Sequence, residues 1–158
     1  MALSPRRLAP DDSAPDDFAL DDVLTLIRTA FAYMDGIIDP PSSMHRLTRD
    51  TLAASGEVWA IGTPPVACAV FTPKPHALYV GKLATAPAAR GQGHARALLA
   101  AAESRARALG LPALELQTRV ELTANHATFH ALGFTETART AHAGHDRPTS
   151  ITMQRPVP

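Results

Sequence analysis

The tightest constraint on this chain is the passage from Leu83 to Gly110. A short apolar run breaks at Pro87, turns through Arg90-Gly91-Gln92-Gly93-His94-Ala95, and opens a long helical pattern. Leu98, Leu99, Ala102, Ala106 and Leu109 recur at helical spacing, while Arg96, Glu103 and Arg107 fall on the other side. Glu103 stands four residues before Arg107, the supportive order for a surface pair, and Gly110 follows as a stop. Glycines directly before such a helix have a physical use. The first turn leaves backbone N–H groups unpaired at the positive end of the helix dipole. Gly91 and Gly93 let the backbone turn sharply and approach a ligand closely. The predicted result is a main-chain cradle for phosphate groups, with Arg90 as a fixed charge at its mouth.

Two common phosphate loops do not fit. A Walker loop ends in Gly-Lys-Ser/Thr, but His94 follows Gly93. A dinucleotide fingerprint needs a third small residue where Arg96 stands. The segment instead resembles motif A of the GNAT family, the Gcn5-related N-acetyltransferases. That motif runs Arg or Gln, two residues, Gly, one residue, then Gly or Ala, and Arg90, Gly93 and Ala95 match it. Leu83-Ala84-Thr85-Ala86-Pro87 is similar to the family's preceding strand and its exit.

The chain of 158 residues is most simply one domain, 1–158, with residues 155–158 expected as a flexible tail. Hydrophobic residues make up 46%, which argues against bulk disorder. Fifteen basic against 15 acidic side chains give no general support for nucleic-acid binding, so any positive site must be local. The single cysteine, Cys68, lies in the buried-strand composition Val66-Ala67-Cys68-Ala69-Val70-Phe71 and reads as core rather than nucleophile. No apolar run approaches membrane-spanning length, and Arg6-Arg7 is followed by aspartates rather than a signal core. A cytoplasmic, soluble protein is the expectation.

In chain order, residues 3–10 read as a first strand and Asp11 to Asp17 as a polar entry. An amphipathic helix follows, with Leu20, Val23, Leu24, Ile27, Ala30, Phe31 and Met34 on one face. Gly36 to Pro41 must break it. Ser42 or Ser43 could cap a second helix running to about Ala54, with Met44, Leu47, Thr51 and Leu52 facing inward. Glu57–Gly62 and Val66–Thr72 predict a hairpin around Thr63-Pro64-Pro65. His76 to Thr85 is the central strand that delivers the chain to the phosphate loop. Beyond the long helix come a strand at Ala113–Thr118, a short helix at Glu121–Leu132 stopped by Gly133, and a closing strand pair at Phe134–His142 and Pro148–Met153.

Asn125 to Phe134 resembles GNAT motif B, an Asn-bearing helix that ends in an aromatic, three residues, then Gly-Phe. Leu132-Gly133-Phe134 matches its end, and the opening Arg7-Leu8-Ala9-Pro10-Asp11 is similar to the family's first strand and turn. The resemblance implies an α/β fold of the α+β mixed-sheet kind, a GNAT-like central mixed sheet with helices on both faces. Two departures stand out. The aromatic that in many members is a Tyr protonating the departing thiolate is here Phe129, which has no proton to give. Asn125 lies four residues before it, where seven is commoner. Both spacings keep Asn on the aromatic's helical face. Loss of the acid does not exclude catalysis: general-acid help is typically worth ~10²–10⁴-fold, and a thiol of pKa near ~8.5 leaves tolerably as thiolate.

The resemblance further implies acetyl-CoA, or another acyl-CoA, as co-substrate in a gap beside the central strand, with no metal. Leu83, Ala84 and Thr85 would bind the pantetheine arm by backbone, and the Leu83 N–H could polarise the thioester carbonyl. The diphosphate would rest on Arg90, Gly91, Gln92, Gly93, His94 and Ala95, with Asn125 and Phe129 against the arm. An amine would attack directly, without an acyl-enzyme. His126, one turn from Phe129, is the candidate proton donor, and Gln117 the candidate on the acceptor side. Glu115, Glu57 and His45 are further base candidates. The expected function is acyl-CoA-dependent N-acyltransfer, most simply of acetyl to a primary amine of a small molecule or peptide. Its rival is a CoA-binding regulatory or sensor module without useful catalysis, suggested by Phe129. The partners expected are acyl-CoA and an amine acceptor, with no nucleic acid and no membrane, and with a homodimer left open. His142, His145 and Asp146 carry ligand chemistry, but their spacing matches no closed metal site, and a hairpin loop near the acceptor cleft is the preferred reading.

Overall fold

The computed structural model describes residues 4–9 and 16–158. The predicted polar entry lies almost wholly outside the described residues, as do both ends of the predicted first strand. Among the described residues, seven strands form one sheet in the order β1-β2-β3-β4-β5-β7-β6. They are β1 (Arg6–Arg7), β2 (Glu57–Ile61), β3 (Ala67–Pro73), β4 (Leu78–Thr85), β5 (Ala113–Arg119), β6 (Thr135–Thr140) and β7 (Ser150–Pro156). The helices are α1 (Asp17–Phe31), α2 (Arg49–Ala54), α3 (His94–Leu109) and α4 (Thr123–Ala131). β1 to β4 are antiparallel, as are β5, β7 and β6; a parallel contact between β4 and β5 joins the halves. A parallel pair needs a crossover, and α3 supplies it.

The apolar periodicities divide between the two sheet faces. Val58, Ala60, Cys68, Val70 and Ala84 meet Leu20, Val23, Leu24 and Ile27 of α1 and Leu52 of α2. Ile61, Ala69, Phe71, Leu78, Leu114 and Leu116 meet Leu98, Leu99, Ala102 and Ala106 of α3, with Phe129 and Leu132 packed alongside. Each fully buried leucine or phenylalanine on either face is worth roughly 1.5–3 kcal/mol of transfer free energy. Leu109, predicted on the α3 inner face, is 38% exposed in the last turn. Gly110 ends the helix at φ 70, its N–H returning to the Ala106 and Arg107 carbonyls. On α1, Asp16 caps the first turn by accepting from the Phe18 and Ala19 N–H groups. Cys68 is fully buried and donates to the Lys82 carbonyl at 3.6 Å. Burial pushes its thiol up to about 12, so it is core, as expected.

Two expectations need correction. The second helix is not continuous from Ser42 to Ala54. Ser42 caps only a 3₁₀ turn, Ser43–Arg46, and Leu47 is extended. Thr48 and Thr51 then form a capping box that starts α2 afresh, because two hydroxyls satisfying each other's backbone amides outcompete helix continuation. The last strand also runs beyond its predicted end at Met153. Arg155 and Pro156 complete β7 against Ala113 and Leu114. Arg155 donates to the Leu132 carbonyl and to Glu103, and the Val157 N–H bonds the Pro112 carbonyl. Prolines at a strand end leave neighbouring donors free to pair.

Candidate functional site

The site begins where β4 and β5 part. They pair only at Leu78↔Leu114 and Tyr79↔Glu115, although β4 continues to Thr85 and β5 to Arg119. The cause lies on the other edge of β4. Its pairing with β3 jumps from Val70↔Gly81 to Cys68↔Ala84, so three steps on β4 oppose two on β3. The extra residue is absorbed at Lys82, whose φ is 51. A left-handed non-glycine residue costs about 1–2 kcal/mol, and a bulge bends its strand. The bend carries residues 80–85 away from β5 and leaves main-chain groups of the β4 edge facing a cleft. The sequence carries no signal for a positive φ at a lysine, and this bulge was not predicted.

The first cavity, about 690 Å³, lies along that edge and the loop after it. Leu83, Ala84 and Thr85 form one side; Arg90, Gly91, Gly93, His94 and Ala95 form the end. Gly93 is the cap residue of α3 at φ 81 and offers no side-chain cap, so the amides of the first turn remain unpaired within the helix. Gly91 is likewise left-handed, at φ 79. A Cβ built on either glycine would meet nothing within 4 Å, so both backbones border open space. Arg90 lies over the Tyr33 ring at 5.7 Å and donates to the Ala30 carbonyl at 3.5 Å, which ties the loop to the end of α1. This end suits a polyanionic group, and the apolar remainder suits a slender chain.

A second cavity, about 270 Å³, opens on the far side of the junction. Both cavities are lined by Phe31, Leu83, Asn125 and Phe129, so they meet there. Phe129 is held edge-on to buried Phe134 at 6.0 Å between centroids. The second cavity also takes in Lys82, Gln117, Thr118, Arg119, His142 and Ser150, and no carboxylate among the described residues lines it. Burial lowers the Lys82 ammonium pKa. The Thr118 hydroxyl is buried without a partner among the described residues. Arg119 straps the 39–41 turn against β5 by donating to the Pro40 carbonyl at 2.8 Å and the Pro41 carbonyl at 3.3 Å. Glu121 accepts from the Asp39 N–H at 2.8 Å. Burial lowers the Arg119 guanidinium pKa, against the opposing charges of Glu121 and Asp39.

The structure thus gathers most of the residues singled out from sequence and leaves some apart. Leu83, Ala84, Thr85, Arg90, Gly91, Gly93, His94, Ala95, Asn125 and Phe129 line the first cavity; Gln92 does not. Gln117 lines the second and donates to Thr152 at 3.3 Å. His126 lines neither: its Nε2 donates to the Arg119 carbonyl at 2.8 Å, which commits that proton to main chain. Of the other base candidates, Glu57 is held by Arg105 and Trp59, Glu115 by Lys74 and Gln154, and His45 by Asp35 at 2.6 Å. None of the three lines either large cavity. His142, on the hairpin loop expected near the acceptor cleft, lines the second cavity; which residue of that loop reaches the cleft is set by strand pairing and not by any local pattern. Among the described residues no metal-holding cluster occurs, and no helix is long and apolar enough to cross a membrane.

Comparison with known proteins agrees with this geometry. No curated protein sequence is significantly similar to the chain. Among solved structures, the ribosomal-protein-S18-alanine N-acetyltransferase from Escherichia coli superposes with a TM-score of 0.70 at 19% identity, covering 99% of this chain and 94% of that one. An acetyltransferase from Streptococcus agalactiae gives 0.73 at 14% identity, covering 98% of each. A chain of the NatC complex bound to Gag peptide and CoA gives 0.66 at 20% identity, covering 100% of each. At these identities the likenesses speak to the fold: a mixed seven-stranded sheet with helices on both faces. The family described as the acetyltransferase (GNAT) family matches residues 20–134, which span β2 to β5, α3, α4, the whole lining of the first cavity and all of the second except His142 and Ser150, and the chain belongs to that family of N-acetyltransferases.

Proposed function

We propose that this N-acyltransferase moves an acetyl group from acetyl-CoA to a primary amine of a small molecule or peptide, by direct attack of the amine on the thioester. The observation that carries this reading is the meeting of the two cavities at Leu83, Asn125 and Phe129, beside an unpaired strand edge. In it, the diphosphate rests on the open amides that begin α3 and on Arg90. The pantetheine arm runs along Leu83 to Thr85, and Asn125 and Phe129 close over it. The thioester lies at the junction, where a Leu83 N–H in a water-poor cleft would stabilise charge on the carbonyl oxygen. The amine enters from the second cavity. Phe129 is a wall and no acid, so the departing thiolate, a tolerable leaving group near ~8.5 in pKa, takes its proton from the attacking nitrogen or from water. A reducing, cytoplasmic setting fits the buried, unpaired Cys68.

The test is CoA-thiol release from acetyl-CoA across a panel of small amines, amino acids and peptide N-termini, with N-acetyl product identified by mass. The expected result is amine-dependent release matched one to one by product. Tight CoA binding with no amine-dependent release would favour the regulatory module that Phe129 suggests.

A further inference from the structure

Among the described residues the second cavity has no carboxylate to accept a proton, yet an amine in water is mostly an ammonium and cannot attack until it loses one. One imidazole lines this cavity: His142, partly buried where the chain leaves β6. Its surroundings offer an arrangement that frees Nε2. Thr149 is fully buried, and its hydroxyl oxygen accepts from the His142 backbone N–H at 2.9 Å. The same oxygen is in close contact with His142 Nδ1 and lies 3.4 Å from the Thr140 carbonyl. A hydroxyl has one proton and two lone pairs. The Thr140 carbonyl, which also accepts the Thr149 backbone N–H at 2.9 Å, can take the Thr149 hydroxyl proton; in that arrangement both hydroxyl lone pairs receive protons from His142, one from the backbone and one from Nδ1. Nε2 is left bare, and no partner for it occurs among the described residues.

We propose that His142 is the base of this enzyme, taking the proton of the incoming ammonium on Nε2. The inference rests on the acyltransfer reading above. The ammonium gives one proton to Nε2 and its nitrogen lone pair bonds to the thioester carbon. The C–S bond breaks, and the thiolate takes the second proton shed by that nitrogen. The imidazolium returns its proton to solvent, so the sum is one ammonium and acetyl-CoA giving amide, CoA and one proton. The charged groups around the ring favour its neutral, receptive form. Burial lowers the His142 pKa, and Arg119 on β5 and His145 in the hairpin lower it further, against a smaller opposing effect of Glu121. Lys82 across the cavity adds a like charge, while Asp39 stands 3.6 Å from His145 and 3.4 Å from Arg147.

The experiment compares wild type with His142→Gln, whose amide can still bond Thr149. It reads kcat/KM against pH for the best amine found, calorimetric CoA affinity, and the tautomer and titration of the imidazoles by nitrogen-detected NMR. Wild-type kcat/KM should fall on the acid side with an apparent pKa below the ordinary histidine value of ~6.5. His142→Gln should lose about 100-fold or more at neutral pH, and its kcat/KM should instead climb with the amine's own ionisation, while CoA affinity is unchanged. A variant within threefold of wild type at all pH values overturns the proposal. So does an Nε2-protonated His142 ring in the resting protein, which NMR would reveal whether or not any amine turns over. Absence of turnover with every amine would count against the acyltransfer reading, and the resting tautomer still decides this one.

Discussion

The two cavities are built by different means. The first takes one side from Leu83 to Thr85 and its end from Arg90, Gly91, Gly93, His94 and Ala95, where backbone dihedrals and an uncapped helix set the shape. The second draws on residues from the end of α1, the Ser42–Ser43 turn, β4, β5, α4, the segment after β6 and the start of β7. A main-chain site can serve one invariable ligand part, a diphosphate and its arm. A side-chain site can be altered one residue at a time without disturbing the sheet. That division would let one family keep its acyl donor and change its acceptor.

The contrast can be broken or sharpened by substitution. The largest effect is expected from Gly93→Glu, which places a carboxylate in the open space at the α3 N-terminus. CoA affinity should fall by about 100-fold or more, each tenfold being about 1.4 kcal/mol, with the circular dichroism spectrum unchanged. Gly93→Ala adds no clash and only strains φ 81; it should cost about tenfold or less at ~1–2 kcal/mol. Equal losses for the two would mean that conformation alone governs the site.

Phe129→Ala cuts the wall that both cavities share. It should lower kcat/KM about tenfold by loosening the approach of amine to thioester. Because Phe129 is only partly buried, stability should fall by about 1–2 kcal/mol, short of the ~3–5 kcal/mol for an aromatic removed from the core such as Phe134. Chemical denaturation checks the second value. Arg90→Gln should weaken CoA binding about three- to tenfold and flatten its salt dependence, since Arg90 is exposed and contributes chiefly charge. The smallest effect belongs to Gln92→Ala. Gln92 is in the glycine loop but outside the cavity lining, so CoA affinity should stay within about twofold. A large loss there would mean that the loop closes on its ligand differently from the arrangement seen here.

The same division explains what the sequence disclosed. Gly91, Gly93 and the apolar spacing of α3 are local signals, because left-handed turns and helix faces are decided by neighbouring residues; loop, helix and central strand were legible. Asn125 and Phe129 were legible for the same reason, lying on one short helix. The β4 bulge was not, because Lys82 bears the positive φ where a glycine would have announced it. Neither was His142. Its place depends on β7 inserting between β5 and β6, a long-range pairing that also carries β7 on to Pro156. His126 shows the converse: helical spacing put it near Phe129, but the Arg119 carbonyl holds its ring proton.

The central claim is that the acyl donor occupies the main-chain cavity and presents its thioester where the second cavity begins. Titration of isotope-labelled protein with CoA, followed by amide NMR, tests it residue by residue. The account predicts the largest shifts at Leu83 to Thr85 and Gly91 to Ala95, smaller ones at Asn125 and Phe129, and almost none at Ser42, Thr118 and Ser150. Shifts concentrated at Thr118, His142 and Ser150, with Gly91 to Ala95 unmoved, would contradict it.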